Sequence, residues 1–515
     1  MKFICFFSIL FSSITTFSQG LIVNSNTYGS IPKKINPDSL TLSKLPKKVD
    51  LSKYVPSVID QEEYDICVPV STTYYLRTML EAIKRNVTNK RKIDALRYSP
   101  SYIYNLIKPD ALNKNCKGDT YFEHALEMLK TQGTLKFSEQ SFIDCRPNSK
   151  KLVDPKSRIL DYTRLFDLID DNESKVNSTK KVLSENSPLV VGLQISVNLK
   201  KLGRLSWIWH KIKAFFGFED KEFALWKPNN SDVIEGHAVC VVGYDDKKFN
   251  KNGIFKGAFK AVNSRGKRWG DDGFFWILYD DYERLAKQAY QAYLPEVEDL
   301  NVSYSGEIAY LTDMYGTVEE VSNLRNAFSS PVFNLNARNE AEVEINLSRG
   351  KQDTLTTFKL KEPIVSNTSV RYAVKTINQF YMYVLNENAE GSSNVVFPLE
   401  YDGISEFVSK NSNFILPIDS SSNNKWKISG TKGMEKVAFL FSKEKIDIYS
   451  IEKQLNYWKG ASLDQKLIKV FKEKIIPLEK IKLDKKNKKK MKFSVSGKHS
   501  SSGTIIPIVF SFEHV

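Results

Sequence analysis

Four residues in this chain together could transfer an acyl group: Cys67, His237, Asn263 and Gln61. A thiol attacks as its thiolate. It needs a base, a group that orients the base, and hydrogen-bond donors for the oxyanion that attack creates. Asp65 before Cys67 and Pro69 after it predict a helix start, with Asp65 as N-cap and Pro69 in the first turn. The positive end of such a helix favours the thiolate. Gln61, six positions before Cys67, offers an amide donor. His237 opens the apolar run Gly236-His237-Ala238-Val239. Asn263 ends another run and leads into Ser264-Arg265-Gly266, then Trp269-Gly270 and Gly273-Phe274. Singly, each has an ordinary structural explanation: a small buried cysteine, a loop glutamine, a strand-end histidine, a turn asparagine. In this order they supply nucleophile, oxyanion donor, base and orienter.

The elements that must position them read as helices first and strands later. Val68 to Ile83 carries apolar residues at helical spacing, and Phe122 to Leu129 repeats the pattern. Apolar strands follow at Pro188 to Leu193, Ala238 to Tyr244, Phe259 to Val262 and Phe274 to Tyr279. This succession predicts an α+β fold and not alternating βαβ units. Beyond Gly316, short strands such as Tyr381 to Leu385 and Val437 to Phe441 alternate with Ser/Asn-rich turns, the pattern of a separate β-sandwich-like domain. Ile446 to Ile476 predicts one or two helices, and Thr504 to Phe512 a closing strand. The chain's 515 residues exceed what one core supports, and 41% hydrophobic with 12% aromatic residues excludes disorder for most of its length. Its formal charge of +15 is local: Lys453 to Lys498 holds 15 lysines against 4 acidic residues. Specific nucleic-acid binding is therefore not expected. No CxxC, HExxH, GxGxxG or GxxxxGK[ST] occurs, so neither a metal nor a cofactor is expected.

With Gly236 to Tyr244, Asn263-Ser264-x-Gly266, Trp269-Gly270 and Asp60-Gln61 ahead of Cys67, the chain resembles the papain-like cysteine peptidases. Val49-Asp50-Leu51, Ser99 to Asn105 and Cys116-Lys117-Gly118 agree, and the resemblance covers about Val49 to Asp313. It implies a helical lobe bearing Cys67 against a β lobe bearing His237 and Asn263, with a polypeptide substrate in the cleft between them. Cys67 would attack the scissile carbonyl and His237 would take and return the proton. Asn263 would hold the imidazole, while Gln61 and the Cys67 N–H would receive the oxyanion. It further implies a Cys116–Cys145 disulfide, since the usual partner position is Tyr64, and leaves Cys240 as a core residue. Three residues depart from the pattern. Asp65 and Ile66 stand where small residues are usual, and Asp65 opposes the thiolate. The helix dipole and a charged His237 are expected to outweigh it. Arg265 stands where a Trp covers the Asn–His hydrogen bond, and its guanidinium could stack there. The resulting reading is an exported thiol endopeptidase. The alternative is a catalytically impaired homologue that binds peptides or envelope components, and a non-peptidase acyl transferase ranks third.

Residues 1–19 resemble a signal peptide, with Lys2 ahead of an apolar run from Phe3 to Phe11. A secreted, periplasmic or envelope location is expected, with Cys5 lost on cleavage. Residues 20–46 are an extended lead-in, 47–315 the peptidase domain and 316–515 a β-rich accessory domain. The lead-in leaves no room for the family's long inhibitory propeptide. Leu205 to Phe218, aromatic and basic, predicts either a cleft-rim or membrane-touching flap or an extra packed helix. Lys485 to Lys492 offers contact with an anionic surface, or a solvated loop.

Overall fold

A computed structural model describes residues 20–35, 44–109, 115–141, 145, 152–168, 170, 172–216, 223–229, 233–251, 253–296, 303–312, 343–345, 355–418, 426–484, 490–496 and 503–515. Residues 1–19, where a signal peptide is expected, and Lys485 to Lys489 lie outside them. The fold is α+β, and the chain divides into two compact units.

The first unit comprises residues 1–28, 47–162 and 171–294. Its sheet runs in the order Ala286–Tyr293, Leu189–Ser196, Val233–Lys251, Ile254–Val262, Phe274–Leu278 and Leu225–Trp226. The helix that Cys67 opens is wound as α over Cys67–Pro69, as π over Val70–Arg77 and as α again over Thr78–Lys84. Every residue of the π stretch is buried, the polar ones included. Those groups are satisfied locally. The Thr72 hydroxyl donates to the Val68 carbonyl at 2.8 Å. Arg77 donates to the Ser157 and Lys156 carbonyls and to Glu81, each at 2.8 Å. A buried guanidinium is stable only with such partners.

The second unit comprises residues 29–46, 163–170 and 295–515. Its strands form two sheets. One runs Val343–Ile345, Thr356–Leu360, Ile505–His514, Gly433–Ser442, Phe380–Glu387 and Ser393–Phe397. The other runs Asn413–Leu416, Ser369–Thr376, Ser303–Thr312, Lys490–Ser496 and Ile481–Leu483. Alternate residues Phe380, Met382 and Val384 of the first sheet share one core with Ile308, Tyr372, Val374 and Phe493 of the second. That period of two makes the unit a sandwich. Helices Ile448–Tyr457 and Leu463–Phe471 fall where the sequence predicts them.

Two expected boundaries move. Strand Ser303–Thr312 pairs with Ser369–Thr376 and Lys490–Ser496, so the second unit begins at Pro295 and not at 316. The lead-in is not simply extended. It holds the helix Ser25–Ser30, and it contributes to both units.

Candidate active site

His237 lies on strand Val233–Lys251, opposite Leu193 in register, and is fully buried. Asn263 follows strand Ile254–Val262, its N–H held by the Gly273 carbonyl at 2.9 Å. His237 Nε2 and Asn263 Oδ1 are 2.8 Å apart. An amide oxygen only accepts, so Nε2 carries the hydrogen and Nδ1 is the basic nitrogen. The Ser264 N–H also donates to Asn263 Oδ1, at 2.8 Å, which fixes the amide. Cys67 reaches the same place from the helix side. The strand that holds His237 packs against the start of the Cys67 helix. The Tyr75 hydroxyl, two turns along the Cys67 helix, donates to the Asn263 carbonyl at 3.0 Å.

Gln61 is drawn in by the Asn263 turn. Its N–H donates to the Ser264 carbonyl at 2.7 Å, and its Oε1 accepts from the Ser264 hydroxyl. Its Nε2 donates to the Tyr64 carbonyl at 2.7 Å. His237, Asn263 and Gln61 are thus linked through Asn263 and Ser264, on the same unit as Cys67.

Three local expectations are corrected. Ile66 is the N-cap of the Cys67 helix, without a side-chain bond. The Asp65 carboxylate accepts instead from the Gly118 N–H at 2.9 Å, because the turn after Cys116 presents that donor. Arg265 Nη1 donates to the Glu62 carbonyl at 2.7 Å, a stronger partner than the face of a neutral hydrogen bond. Thirdly, burial and not the helix dipole governs the thiol, pushing the Cys67 pKa up to about 12. The Asp119 and Asp65 charges push in the same direction, Asp119 more strongly, while the Arg265 charge and the Ala238 N–H oppose them. Nothing in the sequence singled out Asp119. It matters because the Gly118–Thr120 turn folds against Asp65.

The lead-in passes beside the chain segments that carry Cys67 and His237. Gly20, Leu21 and Ile22 form a strap beside Thr120: the Thr120 N–H donates to the Gly20 carbonyl and the Ile22 N–H to the Thr120 carbonyl, each at 3.0 Å. On one side, a Cβ on Gly20 would stand 2.6 Å from the Asp65 carbonyl carbon. On the other, a Cβ on Gly236 would stand 2.6 Å from the Leu21 carbonyl oxygen. The strap thus runs between the residue two before Cys67 and the residue just before His237. Leu21 is 4% exposed, and Tyr28 beyond it is buried edge-on against Tyr290.

Cys116 and Cys145 are joined by a disulfide, with Cα atoms 5.3 Å apart. Cys240 is a buried free thiol in the core of the sheet. The aromatic, basic segment forms the helix Arg204–Phe215, tied to the loop after Asn263 by Trp207 Nε1 and Lys211 Nζ, each 3.0 Å from Asp272. It leaves Trp209, Phe215 and Phe216 exposed. Of the late lysines, Lys490 is buried 3.4 Å from Glu307, and Lys492 lies 3.8 Å from the same carboxylate. Neither is a bare surface cation. Among the described residues, no helix is long and apolar enough to cross a membrane.

Residues 365–445 match the family model of a domain of unknown function, DUF4384. A comparison with curated proteins finds no match. Among solved structures, the chain is similar to xylellain, a cysteine protease from Xylella fastidiosa, at 19% identity, covering 55% of this chain and 97% of that one, with a TM-score of 0.38. It is also similar to proCathepsin B S9 from Trypanosoma congolense, at 18% identity over 55% and 88% of the two chains, TM-score 0.39. A third is the bromelain protease from Ananas comosus in complex with the E64 inhibitor, at 17% identity over 48% and 100%, TM-score 0.33.

Proposed function

We propose that the first unit is a papain-like thiol peptidase whose triad is Cys67, His237 and Asn263, with Gln61 as oxyanion donor. The observation that carries this reading is the 2.8 Å pair between His237 Nε2 and Asn263 Oδ1, formed on the strand that packs against the start of the Cys67 helix. Held by Asn263 through Nε2, the imidazole offers Nδ1 as base for the thiol proton and later as acid for the leaving amine. The Gln61 amide and the Cys67 N–H at the helix start are the donors for the oxyanion. The substrate is a polypeptide, attacked once the strap leaves the path between Asp65 and Gly236. The Cys116–Cys145 disulfide suits an oxidising compartment, in keeping with export.

The test is alkylation of the purified protein by a peptidyl epoxide, with and without strap opening by Leu21→Ser. Adduct on Cys67, lost in Cys67→Ala and strongly slowed in His237→Ala, supports the reading. Adduct that ignores His237 overturns it. The impaired-homologue reading draws on one specific observation, the two carboxylates that raise the Cys67 thiol. It predicts that peptide binding survives Cys67→Ala while the strap-opened protein turns over no unfolded substrate.

A further inference from the structure

The second unit holds another row of hydroxyl, imidazole and carboxylate, and no sequence motif announces it. Ser366 stands in a tight turn: the Thr368 N–H donates to the Val365 carbonyl at 3.1 Å, and Asn367 takes the left-handed conformation with φ +68°. The turn leads into strand Ser369–Thr376. His514 lies on strand Ile505–His514 and is 1% exposed. Opposite it in the antiparallel register is Gly433, so the side chain that meets His514 across the ladder is Glu435, two residues along the same face. Ser366 Oγ is 2.7 Å from His514 Nε2, and His514 Nδ1 is 2.8 Å from Glu435 Oε1.

Three features distinguish this row from a histidine merely satisfied in a core. The two partners sit on opposite ring nitrogens, so the carboxylate orients the base and stabilises the imidazolium that forms when Nε2 takes a proton. Burial runs in the useful direction: Glu435 and His514 are buried, while Ser366 is half-exposed at a turn. The competing acceptor for the hydroxyl, the Val515 carbonyl, is 3.5 Å away, at the limit of a hydrogen bond.

We propose that Ser366 is a base-activated nucleophile, with His514 as general base and Glu435 as orienting carboxylate, that takes acyl groups from small activated carboxylic esters. Ser366 Oγ forms a bond to the ester carbonyl carbon as its proton passes to His514 Nε2. The bond to the leaving alcohol then breaks, and the alcohol departs with that proton. Water, deprotonated by the same imidazole, releases the carboxylic acid and restores the serine hydroxyl. The Ser366 N–H is held by the Val515 carbonyl at 3.0 Å, so the oxyanion of the tetrahedral adduct relies on solvent at the turn. That limits the site to esters with good leaving groups. The proposal stands apart from the peptidase reading, since no residue is shared.

The test uses the full chain carrying Cys67→Ala, a biotinylated fluorophosphonate and peptide mapping. One adduct is expected on Ser366, absent when Ser366→Ala is added. His514→Gln should slow it ~100-fold or more and abolish its dependence on pH. If His514→Gln fails to fold, Glu435→Gln serves, with the same direction of change expected. Turnover of p-nitrophenyl acetate should fall in the same variants. Labelling of Ser366 no faster than that of other surface serines, or labelling indifferent to both His514 and Glu435, overturns the proposal and leaves the row as a structural clasp.

Discussion

The Cys67 site and the Ser366 row each hold an imidazole against an orienting side chain at 2.8 Å, yet they differ in burial. In the first unit the nucleophile is fully buried, and charge and desolvation hold it as a thiol. In the second the imidazole and carboxylate are buried while Ser366 is half-exposed. Both hold an imidazole by an orienting side chain, so that pairing alone does not separate a working site from a latent one. Access and local charge do. For Cys67 the lead-in strap lies between Asp65 and Gly236. For Ser366 nothing needs to move, but the oxyanion lacks a built donor.

The comparison breaks most sharply at the nucleophiles. Cys67→Ala should remove epoxide labelling and peptide turnover by a factor of ~1,000 or more, the scale on which covalent catalysis depends on its nucleophile. The same substitution should leave fluorophosphonate labelling of Ser366 unchanged. A joint loss, read by mass spectrometry on both sites, would show that the two rows are not independent.

Stability comes next. The Cys116–Cys145 bond closes a loop with a sequence separation of 29, for which chain-entropy arguments give about 3–4 kcal/mol. Cys116→Ser should lower the unfolding free energy of the first unit by that amount, and its denaturation midpoint in proportion. Cys67 labelling would then appear at lower denaturant, with the Ser366 adduct unaffected. Denaturant titration with both probes on one sample checks it, and equal shifts for both probes would contradict the assignment of the bond to one unit's stability.

Strap opening is smaller. Leu21 is 4% exposed, and burying such a side chain contributes about 1.5–3 kcal/mol. Leu21→Ser should shift the closed-to-open balance by ~10–100-fold, since each 1.4 kcal/mol is a factor of about ten. Cys67 alkylation should speed up by that factor while the Ser366 rate stays fixed. An unchanged Cys67 rate would mean that the strap does not gate access.

The contrast in legibility follows from what each signal depends on. The histidine motif could be read because Gly236 lies where the Leu21 carbonyl passes and a Cβ would collide. The asparagine turn could be read because Gly266 takes φ +76° beside Asp60. The sandwich was legible in short strands such as Tyr381 to Leu385 alternating with Ser/Asn-rich turns. By contrast, the π winding of Val70–Arg77 leaves no trace in a 3.6-residue period, because all its faces are buried. Asp65 resembles an N-cap locally and lost that role to a donor, Gly118, from 53 residues along the chain. The strap looked like a polar lead-in since its partners, Thr120 and Gly236, are distant in sequence. The Ser366 row lacks any local pattern, because Ser366, Glu435 and His514 meet only through the register of two strands and a turn.

The smallest effect tests the charge around Cys67. Asp119 raises the thiol more strongly than Asp65 does. Asp65 is itself raised by burial and holds the Gly118 N–H, so its charge is partly spent. Replacing a carboxylate with the matching amide keeps shape and removes a negative charge, which lowers a neighbouring thiol pKa. In the strap-opened Leu21→Ser background the thiol meets water, so its ionisation should already fall below about 12, where burial holds it in the closed form. Asp119→Asn should move the curve of alkylation rate against pH further toward acid, by roughly half a unit to one unit. Asp65→Asn should move it less. The sign follows from the removed charge: the thiolate forms at lower pH, so the rate gain is largest on the acid side of the wild-type midpoint and vanishes where both thiols are ionised. Added salt should shrink the shift, because Asp119 is only half-buried. Reversal of the order, with Asp65→Asn giving the larger shift, would mean that opening the strap turns the Asp65 carboxylate from Gly118 toward the sulfur, and the local charge at Cys67 would then depend on the same movement that governs access.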